Sequence, residues 1–337
     1  MKTGPSPITS NSVAKAAGVS QSTVSLVMSG KSAGRVSDNT RDHVMAVADK
    51  LGYRPNATAR MLRTGVLNIL ALAVPNVKQP FFGEIFVAAE KAARQADHAV
   101  VLIDTQNDPK WVERIIDMVR GRMIAGSIVY ASDSDDEPRL AEIADQVLVI
   151  EGQNSGSLVD INVESGVDAV VEHLAGLGHT GIGYLSADYP KVTFQRRFDY
   201  FRKKLRDLGL EFRNAWHSGA TFEIEASTPG AEKLARQREI TAIVCDDDLL
   251  AAGVYRAARK AGRAIPDNLS VVGFNDIELA RVLSPELTTL AIPTERIAQE
   301  AVHKLLEKLE DPARASSSYE AELTLKIRFS TARPAKG

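Results

Sequence analysis

From residue 67 onward the chain repeats one pattern, a short apolar run followed by a stretch of helical periodicity. The apolar runs at 68–74, 99–103, 126–130, 147–150, 181–185, 242–245 and 269–274 read as strands. Helical patterns lie between and after them, at 82–95, 110–120, 163–176, 193–208, 231–237, 249–261 and 294–310. Parallel neighbours need a crossover, usually a helix, and strands buried on both faces read as continuous apolar runs. The repeat therefore predicts an α/β fold with parallel sheets covered on both sides. A switch near 160–163 divides the pattern into two sheets, hence two lobes. Ligands of open α/β sheets bind beyond the carboxyl ends of the strands. Two lobes facing each other there form a cleft that can close.

A length of 337 residues suits two or three domains. The net charge of −2 hides an asymmetry. Residues 1–65 hold nine Lys/Arg against three Asp, a balance of +6, which leaves −8 for the remainder. A basic head on an acidic body predicts that the head meets a polyanion and the body does not. No run of 18 apolar residues exists, so no membrane span is expected. Residues 1–11 lack a basic-then-apolar signal pattern, so a cytoplasmic protein is expected. The single cysteine, Cys245, excludes an intrachain disulfide and a multi-cysteine metal site, and its apolar strand predicts a buried thiol. Six scattered histidines show no metal-ligand spacing. No Gly-rich phosphate loop follows the first strand, where Val74-Pro75-Asn76 stands, and no nucleophile elbow is present. The expectation is a protein that is no enzyme and carries no cofactor and no metal.

Within the head, Thr9 can cap a helix over 10–17, Gly18 suits the left-handed turn after it, and Ser20 can cap a second helix over 21–28. Ala14, Gly18 and Val24 fall at helix-turn-helix spacing, which a plain helical hairpin can share. A third helix is expected from its N-cap Ser37 to Leu51, with Val44, Val47 and Leu51 on one face and Gly52 ending it. A short, Ala-rich, basic stretch follows, with Asn56 as a possible cap. A helix that short needs a surface to fold on.

The run VAKAAGVSQSTVSLVMSG, then RVSDNTRDHV, then LGYRPNATARMLRTG, resembles the lactose-repressor (LacI) family of bacterial regulators, and the resemblance covers nearly the whole chain. It implies a helix-turn-helix three-helix domain at 1–55, a hinge helix and linker at 56–66, and an effector-binding and dimerisation domain at 67–337. The last is implied to be two-lobed and similar in fold to periplasmic sugar-binding proteins, with an N-lobe at about 67–160 and 292–322 and a C-lobe at about 161–291 and 323–331. The resemblance places the second helix in the major groove and the hinge helix in the minor groove. There Leu62 matches a wedge that unstacks the central base step. DNA contacts are expected from Ser20, Gln21, Ser22, Thr23, Ser25, Leu26, Lys31 and Arg35, and from Asn56, Ala57, Leu62 and Arg63. Gln21 can read an adenine edge and Ser22 is permissive. Leu26 departs from the family, which usually has an arginine there, and the loop 29–35 is longer than usual.

Motifs in the body extend the resemblance: Asn76-Val77-Lys78-Gln79-Pro80-Phe81-Phe82, then Gly178-His179-Thr180-Gly181-Ile182-Gly183-Tyr184, and the strand-ends around Asp247 and Asn275. By motif position it implies effector contacts from Phe81, Glu151, Thr193, Arg197, Phe201, Asp247 and Asn275. An arginine beside carboxylates suits vicinal hydroxyls. The family commonly has Asn-Asp where Asp247-Asp248 stands, and Asp-Asp where Asn275-Asp276 stands, so donor and acceptor are exchanged between two strand-ends. Asp248 is expected to cap the following helix. Ile292 precedes Pro293 where a glutamine is common, and Trp111 is expected to pack. The function implied is a sequence-specific transcriptional repressor controlled by a small-molecule effector, most simply a sugar or sugar derivative. A purine-like effector is the alternative, as is a solute-binding protein with no DNA role. One recognition helix and one hinge read half a site, so a homodimer on a pseudopalindromic double-stranded operator is expected. The tail 328–337 shows no leucine heptad for a tetramer.

Overall fold

A computed structural model describes residues 8–28, 30, 32–53, 67–105, 108–130, 136–152, 158–189, 192–314 and 317–335. The chain divides into two units, Met1–Leu67 and Asn68–Gly337. In the first, α1 (Ser10–Ala17), α2 (Gln21–Met28) and α3 (Asp38–Leu51) pack around Val13, Ala14, Val24, Val27, Val44 and Ala48. Each start has a side-chain cap. Thr9 and Ser12 form a reciprocal capping box, Ser20 Oγ accepts from Thr23 N at 3.1 Å, and Ser37 Oγ accepts from Thr40 N at 3.2 Å. The turn after α1 runs through Gly18 at φ 66°, the left-handed conformation that a Cβ would penalise.

The second unit contains two six-stranded sheets. In the first, β1 (Ile69–Val74), β2 (Ala99–Asp104), β3 (Gly126–Tyr130), β4 (Val147–Ile150), β5 (Val159–Ile161) and β11 (Tyr319–Ala321) lie in the order β11-β5-β4-β3-β1-β2, all parallel. In the second, β6 (Ile182–Ala187), β7 (His217–Ala220), β8 (Ala242–Cys245), β9 (Ser270–Asn275), β10 (Thr288–Ala291) and β12 (Thr324–Lys326) lie in the order β12-β10-β9-β8-β6-β7. Only the edge strand β12 pairs antiparallel there. The chain passes between the sheets after β5, after β10 and after β11. Central strands such as β3, β8 and β9 are buried along their whole length, as helices on both faces require.

The helices that position the site are α4 (Pro80–Gln95), α8 (Val192–Asp207) and α10 (Asp248–Lys260), each starting just beyond a strand-end. The others in chain order are α5 (Trp111–Arg120), α6 (Glu137–Leu140), α7 (Val163–Leu177), α9 (Ile224–Ala235), α11 (Leu279–Val282) and α12 (Thr294–Glu310). Trp111, Trp216 and Cys245 are all buried. No helix among the described residues is long and apolar enough to cross a membrane. The expected hinge segment, with Asn56, Ala57, Leu62 and Arg63, lies outside the described residues, as does Lys31.

Candidate functional site: a recognition helix and an interlobe cleft

On α2 the candidate reading face is open. Gln21, Ser22 and Ser25 are exposed, as are Ser20 before the helix and Arg35 in the loop after it, while Thr23 and Leu26 are half-buried. Among the described residues, Leu26 is not one of the side chains that build or flank the three-helix core. Ser20 is already used as the helix cap, and Gln21 Nε2 donates to Ser10 Oγ at 2.9 Å. That bond links the start of α2 to the start of α1.

In the second unit, a cavity lies where the carboxyl ends of the strands of both sheets meet. In this closed arrangement of the lobes its volume is about 40 Å³. One lobe contributes Phe81 and Phe82 at the start of α4, Tyr130 at the end of β3 and Glu151 just after β4. The other contributes Thr193, Phe194 and Arg197 from the first turns of α8, Phe222, Asp247 after β8, and Asn275 at the end of β9. Phe81, Phe82 and Tyr130 meet edge-to-face, with centroids 5.2–5.6 Å apart. Three residues around the cavity carry positive φ without being glycine: Glu151 at 53°, Asn275 at 103° and Asp276 at 58°. Such backbone costs on the order of 1–3 kcal/mol per residue and clusters where side chains are aimed for function.

Arg197 is 4% exposed. Its guanidinium carbon sits 3.7 Å from the centre of the Phe274 ring and 5.2 Å from that of Phe194. Among the described residues its one hydrogen bond runs from Nη1 to the Asp246 carbonyl at 3.1 Å, it makes no ion pair, and its buried Nε has no partner. Asp247 N-caps α10, Oδ1 accepting from Leu249 N at 2.6 Å, while Oδ2 accepts from Asn275 Nδ2 at 2.7 Å. Across the cleft, Thr193 Oγ1 donates to Glu151 Oε1 at 2.9 Å, which ties the two lobes. Burial pushes the Asp247 carboxyl up to about 7, with the Leu249 amide and Arg197 pulling against it. Burial likewise pushes Asp246 up to about 6, opposed by Arg197, Tyr184 and the Ala187 amide. Burial and the charge of Glu151 hold the Tyr130 phenol well above its usual range.

Six of the seven side chains that the sequence suggested for this cleft line it together: Phe81, Glu151, Thr193, Arg197, Asp247 and Asn275. Phe201 does not. It is fully buried against Tyr184 and Phe212, because it lies one turn further along α8 than Arg197, beyond the cavity floor. Asp248 also departs from expectation. Asp247 takes the cap, and Asp248 lies in the first turn of α10, accepting from Ile277 N at 2.9 Å and Thr289 Oγ1 at 2.6 Å. Ile292 is buried in the core. Tyr130, Phe194 and Phe222 were not singled out from sequence. The aromatic residue closing β3 was the one available signal for Tyr130.

A model of the bacterial regulatory proteins of the lacI family matches residues 11–56, and a periplasmic binding protein-like domain matches 171–331. The chain is 30% identical over 324 residues to the HTH-type transcriptional repressor PurR of Mannheimia succiniciproducens, covering 93% of this chain and 96% of that one. It is 33% identical over 298 residues to the HTH-type transcriptional regulator DegA of Bacillus subtilis, covering 86% and 87%. The lac repressor bound to ONPG in the repressed state superposes with a TM-score of 0.82 at 25% identity, covering 96% of this chain and 100% of that one. The chain belongs to the LacI family. It is a DNA-binding transcriptional regulator with an effector-binding domain, and not an enzyme.

Proposed function

We propose that the protein is a cytoplasmic, homodimeric repressor whose hold on a pseudopalindromic operator is set by a sugar or sugar derivative in the interlobe cleft. The observation that carries the effector class is Arg197. A guanidinium this buried, stacked on Phe274 and bonded only to one backbone carbonyl among the described residues, has donors left for a ligand. Asp247 and Glu151 offer acceptors across the same cavity. Donor fork opposite carboxylates is the pattern that holds vicinal hydroxyls, and the aromatic faces of Phe81 and Phe194 suit the apolar side of a sugar ring.

DNA reading is assigned to Ser20, Gln21, Ser22, Thr23, Ser25, Leu26, Lys31 and Arg35 of a domain at 1–55. Asn56, Ala57, Leu62 and Arg63 of a hinge at 56–66 act in the minor groove. The body at 67–337 binds effector and dimerises. Exposed Val87, Val101 and Leu102 on α4 and the edge strand β2 supply an apolar surface for that pairing. A second reading, a purine-like effector, is favoured by the aromatic walls, since Phe81, Tyr130, Phe194 and Phe222 could sandwich a flat base. The relatives include both repressors named PurR and a ribose operon repressor of Haemophilus influenzae.

Calorimetric titration against ribose, hexoses, disaccharides, adenine, guanine and their nucleosides separates the readings. A sugar should bind, and Arg197→Ala should weaken it by about 1.5–3 kcal/mol or more, the worth of a charged hydrogen bond. Binding of bases alone would establish the second reading. Unchanged sugar affinity in the variant would remove Arg197 from the site.

A further inference from the structure

Asp246 lies directly beneath the cleft without lining it. Its side chain is 1% exposed, and it precedes the two aspartates already described. Oδ1 accepts from the Tyr184 hydroxyl at 2.6 Å and Oδ2 from Ala187 N at 2.8 Å. Its backbone carbonyl is the acceptor for Arg197 Nη1. Both carboxylate oxygens therefore point at β6, and Arg197 receives only the carbonyl from this residue.

Two buried charges of opposite sign thus sit side by side with no salt bridge between them. A guanidinium keeps its charge when buried, so one sunk against Phe274 with no ion pair among the described residues needs a nearby negative charge to offset its lost hydration. A direct bidentate carboxylate would supply that charge but would also use the donors the ligand needs. Asp246 supplies it through space and leaves Nε and the remaining Nη donors available. Asp247 differs, because it lines the cavity and offers acceptor positions to the ligand.

We propose that Asp246 is a positioning residue for effector binding, a hidden counter-charge that holds Arg197 buried with its donors free for the ligand. The inference rests on the effector reading of the cleft and deepens it. The groups facing Asp246 are Arg197 on α8, Tyr184 on β6, and Cys245, Asp247 and Asp248 on its own segment. With burial raising its carboxyl to about 6, protonation removes the counter-charge in the mildly acidic range. Asp246 contributes affinity that is present above that range and lost as pH falls through it.

The test uses the full-length protein and Asp246→Asn. The amide fits the same bonds, its oxygen accepting from Ala187 N and its NH₂ donating to Tyr184 Oη. Melting temperature and operator binding should stay at or above wild-type values. Affinity for the tightest-binding sugar or nucleobase of the calorimetric panel should fall about tenfold or more, and its loss between pH 7 and 5 should shrink to the part due to Asp247. Tyr184→Phe withdraws one donor from the carboxylate, so it should move the acid limb to higher pH. Wild-type affinity and pH profile in Asp246→Asn, or an acid limb unmoved in Tyr184→Phe, would overturn the proposal, as would a collapse in melting temperature that accounts for the lost affinity. If no probe binds the wild type, the effector reading fails. Side-chain ¹⁵N exchange on the ligand-free protein then still decides on Asp246. The buried Arg197 Nε–H should exchange about tenfold faster in Asp246→Asn, and equal rates contradict the role.

Discussion

Leu26 and Asp247 are the single side chains at which the proposed recognition by each unit can be tested most sharply. Leu26 is half-buried on α2 and is not among the described side chains that build the three-helix core. A leucine has no donor for a guanine edge and can at most touch a thymine methyl. Leu26→Arg should therefore shift the preferred base at one half-site position toward guanine, by about 1–3 kcal/mol. Selection from random DNA on both proteins at one salt concentration reads this, and identical sequence logos would place Leu26 away from the bases. Asp247 carries a stability signature. Its folded carboxyl is raised to about 7 from an ordinary value of 3.8, so the folded protein holds a proton that the unfolded chain has released. The sign follows: its contribution is full below about 4, declines as pH rises, and is gone above about 7 to 8. Compared with Asp247→Asn, the ligand-free wild type should lose stability between pH 5 and 7, with a slope of at most about 1.4 kcal/mol per unit. Thermal melts that differ by a constant across that range would contradict the shift. Motif position pointed to Asp247, Glu151 and Asn275 at strand-ends, where such folds place polar groups, and to Arg197 on α8, and the four line one cavity. It failed for Phe201, where depth along α8 rather than sequence spacing decides. It did not single out Asp246, because a run of three aspartates does not disclose which carboxylate faces the cleft and which turns back onto β6.

At the level of elements, the caps and glycine turns of the first unit were the clearest text in the sequence. Thr9, Ser20, Ser37, Gly18 and Gly52 each act where local chemistry alone requires them. Ser37→Ala should cost the helix-turn-helix unit about 1 kcal/mol by removing the acceptor for Thr40 N. Because residues 68–337 form a separate unit, their melting transition should not move. Calorimetry that resolves the two transitions checks this, and a shift in the second would contradict the independence. The longer strands of the body were legible as apolar runs. Strands β5, β11 and β12 have three residues each, too few to show a period, while the four-residue β7 and β10 carry polar or small residues (His217-Ser218-Gly219, Thr288-Thr289) in place of the apolar run that marks β4 and β8 at the same length. Helix α9 begins earlier than its apolar pattern, since Ser227, Thr228 and Pro229 interrupt the periodicity. Ser227 and Thr228 turn their hydroxyls back onto the Ile224 carbonyl.

At the scale of the whole molecule, the chain carries a DNA-binding unit and a two-lobed effector-binding body, with the cleft between the lobes as the proposed effector site. The Thr193–Glu151 bond across the cleft marks where a ligand would bias one arrangement of the lobes over another. Coupling of that kind requires a ligand with different affinities for two states of the protein. The basic charge of residues 1–65 predicts operator affinity that falls steeply with salt, a dependence the body alone should lack. The most direct measurement is fluorescence anisotropy of the protein on an operator selected from random DNA, at fixed salt, with and without the ligand that calorimetry finds in the cleft. The prediction is a preference for the selected pseudopalindrome of about 10³-fold or more over unrelated DNA, changed at least about fivefold by the ligand and unresponsive in Arg197→Ala. A ligand that binds the cleft yet leaves operator affinity unchanged, or DNA binding without sequence preference, would contradict it.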